Sequence, residues 1–436
     1  MFYSANKNAK SNASALAGML KFSLHTALLF VSGLCVAQPK PTYYGEIQPV
    51  LEKNCTSCHK PGGIGPFSLF TYADVISKGT FIGHVTQTRY MPPWKADPDF
   101  RTFRNQTVLS QTEIDLIQLW LAEGMPKGKR KKNTKTIEVS ESSLNPDLTL
   151  PMVSSYQLTD QAKEDYRFFV IPTNLPANTY LSAVEFIPGN RKQVHHSRVM
   201  VDSTQRIRGI DGMSELDPGI KEFQTIPLAD EFLYGWAPGN TKIFFPPGTG
   251  KPISKGADLI LNIHYSPTSS AQKDQSVVNL YFAKGTVSRE VKTLTLKESD
   301  IRNQPFFIEA ERKPTFYMDY LVNSDISLIS IMPHMHFIGK SFIAYAITPK
   351  NENIPLIKID DWNFNWQTTY QFKNLVKLPA GSRIRVEAKF DNTSENPMNP
   401  NSPPKDIGYG WNSTDEMCDL VIYYLEYEEG DENIDY

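Results

Sequence analysis

The chain has 436 residues, 40% hydrophobic and 21% charged, with 31 prolines and a formal net charge of −2. That length exceeds one ordinary core and implies two or three domains. The near-neutral balance, with no broad basic face, excludes nucleic acid as a natural partner.

In chain order, residues 1–37 read first as an export signal. Lys7, Lys10 and Lys21 are positive, and no acid precedes Glu46. The apolar run FSLHTALLFVSGL (22–34) is too short to cross a bilayer comfortably. CVA (35–37) follows as a small-residue cleavage site. The protein is expected to be exported, to the periplasm or the extracellular space. The competing expectation is a signal anchor, or a lipoprotein acylated at Cys35. The mature chain keeps Cys55, Cys58 and Cys418, too few for a protein held together by disulfides.

The next motif is CTSCHK. Cys55, Cys58 and His59 form C-x-x-C-H, in which two thiols add to the vinyl groups of a c-type haem and the histidine ligates iron. A redox pair or a chance spacing is the competing reading. Export and the helical flanks favour haem. Before the motif, Ile47, Val50 and Leu51 make one apolar stripe. After it, Ser110 and Glu113 fit a capping box ahead of a stripe of Ile114, Ile117 and Leu121, with Gly124 as C-cap. The span 38–128 resembles a class I cytochrome c in size and element order, which implies a small all-α domain with one covalent haem c. The sixth iron ligand is expected to be Met91, in the proline-stiffened RYMPPW loop, with His84 as the alternative.

Residues 129–145 are charged, lack apolar periodicity and read as a linker. From 146 onward short alternating runs stand between Gly, Pro and Asn turns. TYLSAVEFIPGN, DLILNIHYSP, SLISIMPHMHF, SRIRVEAKFDN and DLVIYYLEYE are examples. They predict two antiparallel, jelly-roll-like β-sandwich domains, drawn at 146–286 and 287–436.

Five of the eight histidines lie in this part. His195 and His196 are adjacent, so on a regular strand they point to opposite faces. Either one is a surface residue and the other a satisfied core histidine, or a bulge lets both reach one metal. In DLILNIHYSP, Leu259, Leu261, Ile263 and Tyr265 form one face, and His264 lies on the other. His334 and His336 are two apart, so a strand points them the same way. Met417, in STDEMCDL, is a soft donor, although most methionines are core filler.

The order H-H, H-Y, H-x-H-x-x-G-K and D-E-M-C over roughly 150–436 resembles the copper type II, ascorbate-dependent monooxygenases, the peptidylglycine α-hydroxylating and dopamine β-monooxygenase group. The resemblance implies two coppers. His195, His196 and His264 would hold the electron-transfer copper. His334, His336 and Met417 would hold the copper where oxygen reacts and serve as the catalytic set. It implies hydroxylation of a C–H bond of a small organic substrate with O2. The fused haem would stand in for ascorbate, fed by an external electron donor.

Three departures matter. Cys418 has no evident disulfide partner. Met332 stands where the peptide-amidating branch has an arginine, and Asp419 and Val421 stand where its other carboxylate contacts fall, which argues against peptide amidation. The animal enzymes lack the haem segment. The rival reading is a non-catalytic haem and copper relay, or a copper-handling protein.

Overall fold

The computed structural model describes residues 40–436 apart from 62, 64, 131–144, 160–163, 225, 227–230, 239, 241, 411–412 and 435. The expected signal at 1–37, with Cys35, and most of the linker at 129–145 lie outside the described residues.

Residues 40–130 supply four short α-helices, Gln48–Asn54, Tyr72–Ile76, Gly79–Gln87 and Gln111–Ala122. The last starts at the capping box: the Ser110 hydroxyl accepts the Glu113 amide, and the Glu113 carboxylate accepts the Ser110 amide at 2.8 Å. Ile47, Leu51, Val75, Ile82, Ile114, Ile117 and Trp120 bury their apolar faces together.

The expectation of a separate, small all-α cytochrome c domain followed by two sandwiches is corrected here. The fold is dominated by strands, the helices are short, and residues 40–436 form one compact unit. The stretch between the third and fourth helices is spent on the strand-rich part. Phe103 is buried against Tyr370 and Phe372, and Ala96 shares that core. The Asp97 amide donates to Lys358 O, and the Arg104 amide donates to Gln371 O, both at 2.8 Å. Helical periodicity reports each helix singly. It is silent about which core the intervening apolar residues join.

The strand-rich part is as expected in character. One sheet runs in the order Asp165–Pro172, Asp258–Tyr265, Val194–Asp202, Glu231–Trp236. It faces a second sheet of Leu148–Pro151, Val277–Phe282, Thr179–Ile187, Thr249–Ile253 and Arg289–Glu290, with Ile243–Phe244 beside Thr179–Ile187. Leu181, Val184, Val199, Leu259, Leu261 and Leu280 fill the space between them. A third sheet, Lys292–Leu296, Cys418–Glu426, Ile326–Met335, Tyr370–Leu378, faces a fourth, Thr315–Leu321, Arg383–Phe390, Gly339–Ile347, Asn353–Ile359. Leu328, Ile331, Phe342, Val386 and Ile422 lie between those two.

The third sheet is covered on both faces. Its strand Ile326–Met335 is buried at every residue. Leu328 and Ile331 point into the core shared with the fourth sheet, while Ile329, Tyr423 and Leu425 belong to the core of the first pair. A strand buried on both faces reads as a largely apolar run, which is why ISLISIMPHM lacks a clean alternation; Ser327, Ser330 and His334 are its buried polar members.

Two bulges aim the histidines. In Val194–Asp202 the pairing steps from Val194↔Tyr265 to His196↔His264, so His195 is the extra residue. In Ile326–Met335 it steps from Leu328↔Tyr424 to Ser330↔Tyr423, so Ile329 is extra. Each extra residue reverses which parity faces the core. After the second bulge Ile331 and Met335 face the fourth sheet. Met332, His334 and His336 are thereby turned toward the first pair of sheets.

Candidate metal centre

The strand Asp258–Tyr265 buries Leu259, Leu261, Ile263 and Tyr265 in the first core, which leaves Asn262 and His264 on the opposite face. The bulge at His195 brings both adjacent histidines to that face. Ligand nitrogens of His195, His196 and His264 all lie within 4.8 Å of one another. His196 and His264 oppose their Nδ1 atoms at 3.2 Å. His195 Nδ1 and His264 Nε2 are buried without a hydrogen-bond partner, although Glu164 Oε2 stands 3.5 Å from the latter. Tyr166 stacks flat on His264, with centroids 4.1 Å apart.

Burial holds His196 well below the usual imidazole range, and it lowers His195 to about 4, in each case with help from His264. Both rings are therefore neutral near pH 7, the form that binds metal. Three converging imidazoles, with orphaned nitrogens on His195 and His264, fit a cation, and copper accepts such a set in both oxidation states.

His334 and His336 arise on one face of the next strand, as two-residue spacing requires. The His334 Nδ1–H donates to Gln367 Oε1 at 2.5 Å, and the His336 Nδ1–H donates to Asp415 O at 3.1 Å. Each bond fixes the tautomer, so Nε2 carries the lone pair in both rings. His334 Nε2 is buried and unpartnered. The pairs His334↔Asp419 and Met335↔Cys418 extend by one to set Met417 opposite His336, on the same face. Met417 is 6% exposed, with its sulfur 3.9 Å from Arg198 Nη1. The ladder thus gives His334, His336 and Met417 a common face of the third sheet, with the two rings 5.1 Å apart.

The carboxyl of Glu416, pushed up to about 8 by burial, accepts the amides of His336 and Met417. Cys418 faces the other way. It is 1% exposed inside the core, and burial raises its thiol well above the usual value.

The two groups meet at one ring. Phe364 lies 5.3 Å from His196, 6.1 Å from His264 and 5.6 Å from His336, centroid to centroid. Sequence reasoning missed Phe364, Gln367 and Arg198. The dense aromatic stretch DWNFNWQ and the Arg198 two places after His196 were the available signals.

At the other motif, Cys55, Cys58 and His59 follow the first α-helix in a turn, and both thiols are free. The His59 Nδ1–H donates to Phe67 O at 3.0 Å, which leaves Nε2 to ligate. A Cβ on Gly65 would fall 2.6 Å from the His59 ring, so only glycine fits there. Cys58 and Trp94 line a cavity of 330 Å³ whose far wall is Trp366, Thr368 and Gln371. Met91 lines an adjoining cavity of 400 Å³ with Leu109 and Ile114, whereas His84 is exposed.

Residues 315–434 match the family described as copper type II ascorbate-dependent monooxygenase, C-terminal domain. A human protein described as putative DBH-like monooxygenase protein 2 is 22% identical over 253 residues, 54% of this chain and 47% of that protein. The chain thus spans about half the length of the curated relative it matches. Among solved structures, the major capsid protein P2 of bacteriophage PM2 covers 65% of this chain and 99% of its own at 7% identity and a TM-score of 0.26. Allantoicase covers 55% of this chain and 83% of its own at 9% identity and a TM-score of 0.17. Structural likenesses this low carry no argument. The family match supports an oxidoreductase of the copper monooxygenase type, with copper as its metal.

Proposed function

We propose that the chain is an exported, copper-dependent monooxygenase that inserts one atom of O2 into a C–H bond of a small organic substrate. His195, His196 and His264, in the half drawn at 146–286, would hold one copper. His334, His336 and Met417, in the half drawn at 287–436, would hold the other. Copper supplies oxygen activation and electron storage. The observation that carries the reading is that two imidazole groups meet the same Phe364 ring; Met417, on the strand beside His334, would complete the second.

The chain's own residues do three things. Gln367 and Asp415 hold the His334 and His336 rings with Nε2 forward. Burial keeps His334 and His196 neutral. Arg198, held by Asn262 Oδ1 at 3.3 and 3.2 Å, brings a cation of the first sheet against the thioether of the third. Asp419 pairs with His334 across the ladder and is half-buried, with one buried carboxylate oxygen unpartnered, so that position offers an anion and not a cationic clamp for a peptide carboxylate.

The reading includes a covalent haem c at Cys55 and Cys58, ligated by His59 and Met91, which supplies electrons received from an external donor. The free thiols, the oriented His59 and the neighbouring cavities support it. So does the buried Trp94 indole N–H, which lacks a partner among the described residues and borders both cavities. The test is metal and haem analysis of the purified, fully loaded protein. One haem and two coppers per chain are expected. Zinc in place of copper, or a single metal ion, would overturn the assignment.

A further inference from the structure

The turn between Trp362 and Thr369 touches both histidine groups and the 330 Å³ cavity beside Cys58. The Trp362 Nε1–H donates to His336 O at 3.2 Å. The Phe364 ring lies against His196, His264 and His336. Gln367 accepts from the His334 ring and donates its own amide N–H to Phe364 O at 2.9 Å. On both sides of Gln367 the chain faces the other way: Trp366, Thr368 and Thr369 line the 330 Å³ cavity that Cys58 borders. The Thr368 hydroxyl donates to Asn240, pinning that wall to the first sheet pair. One residue therefore separates the cavity from an imidazole ring.

We propose that this turn is the electron inlet, with Gln367 as the positioning residue joining the cavity wall to His334. Electrons then reach the His334–His336–Met417 side first. The inference rests on the haem and copper reading above and refines it, since the three-histidine group was the expected point of entry. The step is a bare electron transfer. Ferrous haem becomes ferric, one Cu(II) becomes Cu(I), and no proton or bond moves. The reductant that refills the haem is the external one-electron donor. The three-histidine group meets the same turn through the Phe364 ring, a van der Waals contact. His334 meets it through a hydrogen bond, which couples two groups more strongly than a nonbonded gap.

The test uses the full chain carrying haem and Cu(II), without oxygen. A light-driven one-electron sensitiser reduces the haem, and haem reoxidation is followed by visible absorbance. Gln367→Ala is expected to slow the fast phase by about tenfold or more, the usual size of losing a partner behind a metal ligand. Gln367→Glu, which retains an acceptor for Nδ1–H, restores it. His334→Ala abolishes it, and His264→Ala leaves it in place. Copper content is measured for each variant. Should Gln367→Ala lose copper, Trp366→Leu, which removes the cavity-facing ring, is expected to slow the same phase with both sites filled. A fast phase that survives His334→Ala and Trp366→Leu but vanishes in His264→Ala overturns the inlet and leaves the cofactor reading intact. A chain with no haem spectrum overturns both.

Discussion

Met417 separates catalysis from simple electron relay. It is buried one residue past the Met335↔Cys418 pair, and a thioether favours Cu(I). Met417→Ala is expected to lower Cu(I) affinity at that site by more than the roughly 10–100-fold typical of losing an outer partner. Oxygen consumption with substrate should stop, while the three imidazoles of the other group still bind copper. Normal oxygen uptake by this variant would count against the monooxygenase reading. Met91 makes a parallel case at the proposed haem site. It borders the cavity beside Leu109 and Ile114, and His84, its rival, is on the solvent face of Gly79–Gln87. Methionine-ligated ferric haem has a weak absorption band at the red end of the spectrum. Met91→Ala should abolish it, and persistence of the band would assign the ligand elsewhere.

The strand Ile326–Met335 depends on an anchor beyond its own hydrogen bonds. Its residue Ser327 donates to Asp431 Oδ2 at 2.6 Å, and the same carboxylate takes two bonds at 2.8 Å from Arg289. Asp431 is 2% exposed. Burial pushes its pKa up, but the bonds from Arg289 and Ser327 outweigh this and hold it below the ordinary 3.8. The stabilisation is therefore fully present above the unfolded value and is lost as pH falls through the lower folded value. Asp431→Asn leaves Arg289 only the longer contact to Glu428 at 3.4 Å and should cost up to about 3–5 kcal/mol near neutrality. Denaturant titration should show the gap to the parent narrowing below about pH 4. A gap independent of pH would mean that shape, not charge, makes the contribution.

The molecule is assembled around the third sheet. One of its faces completes the core of the first sheet pair, and the other faces the fourth sheet. The N-terminal helices are strapped to the same body by residues 94–106. Lys95 reaches Asp361 at 2.7 Å and Lys358 reaches Asp97 at 3.0 Å, while Phe103 enters the core. Exposed pairs of this kind contribute little, so the apolar anchor dominates. Phe103→Ala should cost about 3–5 kcal/mol by transfer and cavity terms. Limited proteolysis should then cut within residues 90–108 faster than in the parent. Unchanged stability would mean that the helices and sheets hold together without this strap.

How much of this was legible in the chain follows from range. C-x-x-C-H, the adjacent histidines, H-x-H and the capping box at Ser110 are local spacings, and local spacing sets which atoms leave the backbone in which direction. The face of His264 could be read because its strand alternates without interruption from Leu259 to Tyr265. Strand-rich character could be read because turns punctuate it. Four things could not. The bulges at His195 and Ile329 depend on the partner strand's register, set by residues far away in sequence. The convergence of both histidine groups on Phe364 depends on a sheet with two buried faces. The fate of Cys418 depends on which core its strand turns toward. The helical segment reads as a free-standing domain because periodicity records a helix's apolar face, and nothing local records that Ala96 and Phe103 would be buried in a core built by strands from Lys292–Leu296 onward.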